Sequence, residues 1–361
     1  MTLQEAYEIQ KWLTEQEFPT AFHASLFLAL LKTYAIPSIS RVLIETGLLG
    51  SSDIVKTSKR AADTSALMGN MVMAPPGSTR ALEAVARTNF LHRGYIRAGK
   101  ITNDDMLYTL YVLAFDAVLW IERYEWRGLT DMELCAVGTF WKALGEDLGI
   151  SYRDLPHERG WSDGLAWAEE MHAWSRKYVD RCVIPSDSNE KLAGQSLDLI
   201  FSSTPRPFRA MFRGMACTYL GPKFQTAMRL PTPPAHYAII LESVLALRKF
   251  LLRNFFLPRP YLFRCPRITD QPDPATGRYY AARWFLHPWY TKRPSLERWG
   301  PLAWMAWAQG VETKPAFRPE GYLVRELGPT SKVGKGNEDM DRTIEALKIN
   351  DPKRCPFAPL S

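Results

Sequence analysis

The sequence lacks most of the short signatures by which enzyme sites are read. It has no G-x-S-x-G, and no strand–turn–helix to carry a nucleophile elbow. It has no G-x-G-x-x-G, no P-loop and no H-E-x-x-H, which excludes the common nucleotide-binding and zinc-protease sites. The five cysteines, Cys135, Cys182, Cys217, Cys265 and Cys355, are odd in number and scattered, with no CxxC spacing and no secretory signal before them. Free thiols in a reducing, cytosolic compartment are expected. No run reaches the ~18 to 20 continuous apolar residues that a membrane span requires. The nearest, residues 21–44, is interrupted by Lys32, Pro37 and Arg41, which leaves open an interfacial helix. Period-two alternation is missing from the first 250 residues, and with it a sheet.

Apolar and aromatic residues are plentiful. Hydrophobic residues make up 46% of the 361 against 23% charged, enough for a sizeable core. Twelve Trp and fifteen Tyr mean large aromatic surfaces to bury, in a core or around a planar ligand. The net charge of +7 is concentrated: residues 248–298 hold eleven Lys/Arg against three acids. A nucleic acid, a membrane surface or an acidic ligand could each use such a surplus. No nucleic-acid-binding motif accompanies it, so nucleic acid is not an expected partner.

Helical periodicity organises residues 1–257. Helices are expected over 3–18, 21–34, 38–45, 53–73, 78–98, 104–126, 131–147, 162–178, 189–201, 206–219 and 234–256. The 53–73 helix starts at a Ser52-Asp53 cap, and Ser78 caps the helix that follows Pro75-Pro76-Gly77. Thr102 with Asp105 and Thr130 with Glu133 form capping boxes. Past Pro258 the composition turns Pro-, Arg- and Trp-rich, with short helices only near 295–308 and 338–348. The expected division is a helical body, 1–257, and an irregular extension, 258–361, packed on it.

The chain is organised around residues 81–126. In the first helix of that stretch Val85, Asn89, His92 and Ile96 follow one apolar row. Arg87 lies roughly 140° around the helix from His92 and is expected in a structural ion pair. The next helix is apolar all round. Its clear polar points are Thr109 and Asp116, two turns apart on one face, and Asp116 needs a partner such as Arg60, Arg87 or Arg123. A di-iron bundle would require E-x-x-H pairs on two helices, and only Glu169 with His172 approaches one. Haem requires far less: one histidine on a buried helix beside a flat apolar cavity. His92 meets that description, but a lone histidine on an apolar face is more often a satisfied core residue, and periodicity does not choose between the two.

Larger motifs then carry a resemblance. The run TNFLH after Arg87, GKITNDDMLYTL, RYEWRGLTDMELCAVGTFWKALGEDLGISY and W-x-D-G-L together resemble the rubber oxygenase/MpaB-like (DUF2236) oxygenases, most nearly their fungal branch, over about residues 15–260. The resemblance implies an all-α, globin-related bundle that holds haem b non-covalently. It implies O2-dependent cleavage of C=C bonds in a lipophilic isoprenoid or polyketide–terpenoid substrate of secondary metabolism. By position, His92 matches the proximal iron ligand, and Arg60 and Thr64 match an R-x-x-x-T pair facing the haem. Arg87 and Thr109 match family positions beside it, and Asp116 joins them as a cofactor-side residue. A glutamate proposed as base in the rubber-cleaving branch falls near Glu45. Where some relatives carry a distal lysine, this chain has Asp63. His92 is expected to bind iron while a hydrogen bond on its other ring nitrogen orients it. Many fungal relatives begin with a membrane-spanning helix; here none is expected. The expected location is the cytoplasm, with peripheral attachment to the endoplasmic reticulum membrane through the basic C-terminal part as a variant. Two other readings stay open: a haem protein hydroxylating or isomerising such a substrate, and a non-catalytic lipid-binding protein at a membrane edge.

Overall fold

The helices that begin at Ile54, Thr79, Asn103, Asp131, Gly164 and Asp187 each start where a side chain accepts the first free amides, whereas those that begin at Pro19, Arg206 and Ala235 start without one. The structure is a computed structural model that describes residues 1–47, 53–158, 160–282, 287–292, 317–349 and 355–357. Among these residues it contains thirteen α-helices and no β-strand, so the fold is all-α. The short helix expected at 295–308 lies outside the described residues. In chain order the helices are α1 (Leu3–Trp12), α2 (Pro19–Thr33), α3 (Pro37–Glu45), α4 (Ile54–Met73), α5 (Thr79–Arg97), α6 (Asn103–Tyr124) and α7 (Asp131–Asp147). They continue with α8 (Gly164–Cys182), α9 (Asp187–Ile200), α10 (Arg206–Leu220), α11 (Pro222–Ala227), α12 (Ala235–Phe255) and α13 (Asn337–Leu347).

Both capping boxes form, Thr102 with Asp105 on α6 and Thr130 with Glu133 on α7, and Ser78 caps α5. Asp163 caps α8, which starts at Gly164 and not at 162, its carboxylate accepting from the amides of Leu165 and Ala166. The single helix expected over 3–18 stops at Trp12 and widens into a π-turn, Leu13–Glu17. The wider turn leaves the Glu15 carbonyl to accept the Cys265 amide at 2.7 Å, so the C-terminal segment docks there.

α6 is the central element, with fourteen of its 22 residues buried, and α2 lies along it. α1 packs on α7, α7 on α8, and α4 on α5. α7 and α8 cross at a pair of glycines: a Cβ on Gly138 would run into the Gly164 backbone, and one on Gly164 into Cys135 and Thr139. The segment after α12 wraps back over this body without forming a sheet; its pairings are isolated bridges such as Tyr279 with Tyr322. Trp289 and Tyr290 enter the core, and α13 packs Met340 and Ile344 on Leu82 and Ala86 of α5. No residue of α12 is fully buried; Leu245 packs on the core, while Ile239, Val244, Leu247, Phe250 and Phe255 face outward.

No single helix is long and apolar enough to cross a membrane. α2 and α3 together reach the length and composition but bend by 95° between them. Ala21, Leu28, Ala29 and Leu31 of α2 belong to the protein's own core.

Candidate functional site

α4, α5 and α6 enclose, with α2 and the C-terminal segment, a cavity of about 590 Å³. His92 enters from α5, Arg60 and Thr64 from successive turns of α4, and Thr109 from α6. The walls between them are largely apolar, with Phe27, Leu30, Leu113, Trp141 and Trp289 among them. Its size and lining suit a lipophilic ligand or a planar cofactor.

His92 is half-buried, with its ring facing this cavity. Burial, and secondarily the nearby charge of Arg60, pushes its pKa down to about 4. At neutral pH the imidazole is therefore uncharged and keeps a nitrogen lone pair for a metal. None of the described residues makes the expected orienting hydrogen bond to its ring. No three His, Cys, Asp or Glu side chains converge into a metal cage among the described residues. A metal at His92 would take one protein ligand and draw its others from elsewhere.

Arg60 makes no ion pair or hydrogen bond among the described residues, and burial depresses its pKa. The neighbouring acid, Asp63, is already engaged: Lys59 Nζ and Tyr290 Oη both donate to it at 2.6 Å. Its carboxyl is nevertheless raised by burial. The Asp63 side chain ties α4 to the C-terminal segment. Thr109 Oγ1 donates to the Asp105 carbonyl at 2.7 Å, within its own helix.

Three of the expected site residues lie away from the cavity lining. Arg87 is fully buried, and the ion pair expected of it is not what holds it. Its Nε, Nη2 and Nη1 donate to the carbonyls of Leu327, Lys332 and Lys335 at 2.8, 3.1 and 3.3 Å. Asp116 is buried against Lys32 of α2 at 2.8 Å, not against Arg60, Arg87 or Arg123. Arg123 instead pairs with Glu242. Glu45 is exposed and pairs at 2.5 Å with Lys100, which does line the cavity, so the glutamate sits at its rim. The Glu169/His172 pair forms no metal site: His172 Nδ1 is hydrogen-bonded to Tyr111 Oη at 2.7 Å. The cavity also has walls that periodicity did not single out, above all Arg267, His287, Trp289 and Tyr290 from beyond α12.

Comparison with known proteins decides the family. Residues 14–252, most of the helical body, match the catalytic domain described as "ER-bound oxygenase mpaB/B'/Rubber oxygenase". The chain belongs to this oxygenase family. It is 38% identical over 362 aligned residues to the ER-bound oxygenase mpaB' of Penicillium brevicompactum, covering 99% of this chain and 85% of that one. To ER-bound oxygenase mpaB of the same organism it is 39% identical, over 96% of this chain and 79% of the relative. The mpaB of Penicillium roqueforti is 44% identical over a shorter stretch, 58% of this chain and 70% of that relative. The protein is accordingly an O2-dependent oxidoreductase. Family membership removes the non-catalytic lipid-binding reading.

Proposed function

We propose that the protein is a haem b-dependent oxygenase that cleaves a C=C bond of a lipophilic substrate. The observation that carries this reading is a neutral, cavity-facing His92 with Arg60, which has no hydrogen bond or ion pair among the described residues, lining the same apolar cavity. The residues fit the cofactor: one imidazole for the iron, an arginine for a propionate and an apolar slot for the ring. Bound there, haem supplies O2 activation, for which the side chains alone have no group. His92 holds the iron. Arg60 pairs with a propionate or polarises the oxygen side, and Thr64, one turn along α4, is the hydrogen-bonding group beside it. The apolar wall positions the alkene and keeps water away from it. Glu45, through Lys100, acts at the rim. Arg87 and Asp116 support the site at a distance, by holding the C-terminal segment and by fixing α2 to α6.

A purified sample titrated with hemin is expected to develop a Soret band that His92→Ala removes. A colourless titration would overturn the reading. With labelled O2, cleavage puts label on both carbonyl fragments, whereas hydroxylation leaves one intact, singly labelled product.

The relatives are named ER-bound, and α12 supplies a surface of the required kind. Val244, Leu247, Phe250, Phe255, Phe256 and Leu257 are each more than half exposed. Arg253, exposed among them, suits an anionic lipid surface. Arg248 and Lys249 are partly committed, to Glu125 and to the Arg123 carbonyl. Flotation with vesicles containing phosphatidylserine is expected to carry the protein up. The Phe255→Asp/Phe256→Asp pair should leave most of it at the bottom, and undiminished flotation of that variant would exclude α12.

A further inference from the structure

A second arginine of the cavity has no part in the reading above. Arg267 comes from the segment after α12 and lines the cavity. Its Nη2 donates to the Phe22 carbonyl at 2.9 Å. Its Nε has no partner, and Nη1 makes no hydrogen bond among the described residues. The two acids that line the cavity are both spent elsewhere: Asp63 on Lys59 and Tyr290, and Asp105 on Ser38 and Tyr178. Burial pushes the pKa of Arg267 down to about 10, with no charge among the described residues to offset it. A guanidinium so enclosed, with donors unspent, is costly unless an anion completes it.

Its position says which anion. The next residue, Ile268, packs on Gly69 of α4, where an added Cβ would lie 3.3 Å from Ile268 Cγ2. Gly69 is nine residues beyond Arg60 on that helix, roughly 14 Å along its axis. The segment that carries Arg267 therefore meets α4 at a different stretch from the turn that carries Arg60, and the propionates of a haem leave one edge of the ring together. We propose that Arg267 anchors the carboxylate of an elongated lipophilic acid whose chain runs through the cavity towards His92. The fork of the guanidinium matches a carboxylate, and the apolar walls take the chain. An ester or alcohol of the same length would leave the cation unpaired. The anchor does not depend on haem; only the placing of the chain beside His92 rests on the proposed function.

Calorimetry with oleate and methyl oleate, on the full chain, tests it. The wild type is expected to prefer oleate by about tenfold or more, the worth of one charged hydrogen-bonded pair. Arg267→Gln should erase that preference while binding methyl oleate as before, and Arg267→Lys, which keeps the charge, should retain it. Equal binding of the two ligands by the wild type overturns the proposal even if Arg267→Gln does not fold. So does an Arg267→Lys protein that binds oleate no better than Arg267→Gln. A hemin titration separates the two readings. No Soret band beside an intact oleate preference would remove the haem reading and leave the anchor standing. If Arg267→Gln instead loses a preference for hemin over hemin dimethyl ester, the arginine serves a propionate and the proposal fails.

Discussion

His92 and its surroundings give the sharpest residue-scale consequence. Its folded pKa of about 4 lies below the ordinary 6.5, so between those values the unfolded chain takes up a proton that the folded protein refuses. Stability is then fully present above pH 6.5 and falls as the pH drops towards 4, by up to about 1.4 kcal/mol per pH unit for one proton. The buried carboxyls Asp63 and Asp116 are raised and act in the opposite sense, so the comparison must be with a variant. Urea midpoints of the apo protein from pH 7.5 to 4.5 should fall more steeply for the wild type than for His92→Gln; parallel curves would contradict the buried, neutral imidazole. How legible these residues were depended on sequence distance. Arg60 with Thr64, and His92 on its apolar row, sit at helical spacings that can be counted. The partner of Asp116 is 84 positions earlier on another helix, and no local pattern points from one to the other. Arg267 was lost among the basic residues of 248–298, where an irregular backbone offers no periodicity to separate an inward arginine from outward ones.

At the scale of elements, two glycines that look alike in sequence have opposite roles. Gly138 lets α7 meet α8 backbone to backbone, and a methyl there collides with the Gly164 carbonyl, which cannot swing aside as a side chain would. Gly94, on α5, is exposed and has nothing within 4 Å of its missing Cβ. Gly138→Ala should therefore cost about 1–3 kcal/mol or more, and Gly94→Ala should gain about 0.5–1 kcal/mol by removing backbone entropy from the unfolded chain. Denaturant midpoints that move the same way for both would refute the tight α7–α8 crossing. Helix starts were readable because a cap is a local device: Ser78, Thr102 and Thr130 declare themselves within four residues. The end of α1 was not, because its π-turn serves the Cys265 amide, which is 250 residues away. The burial of α6 was legible from composition alone, since a helix apolar on every side has only an interior to occupy.

For the whole molecule the consequential feature is how the chain beyond α12 closes on the helical body. The sequence suggested a boundary near 257, where periodicity stops. Across it Trp289 Nε1 donates to Ser58 Oγ at 3.0 Å, Tyr290 to Asp63, and Arg87 to three carbonyls between 327 and 335. Without that segment Arg87 would be a buried cation stripped of its acceptors, Asp63 would keep only Lys59, and the cavity would lose the wall formed by Ile268, His287 and Trp289. The desolvation of an orphaned arginine alone costs several kcal/mol, comparable with the whole net stability of many domains. A chain ending at Leu257 is therefore expected to lose its cooperative thermal transition and its hemin-induced Soret band together. Arg87→Met, which replaces the cation by an apolar chain, should lower stability far less than the truncation and keep the Soret band. If the truncated chain melts cooperatively and binds hemin like the full one, the 258–361 segment is an accessory, and the cavity is the work of the helices alone.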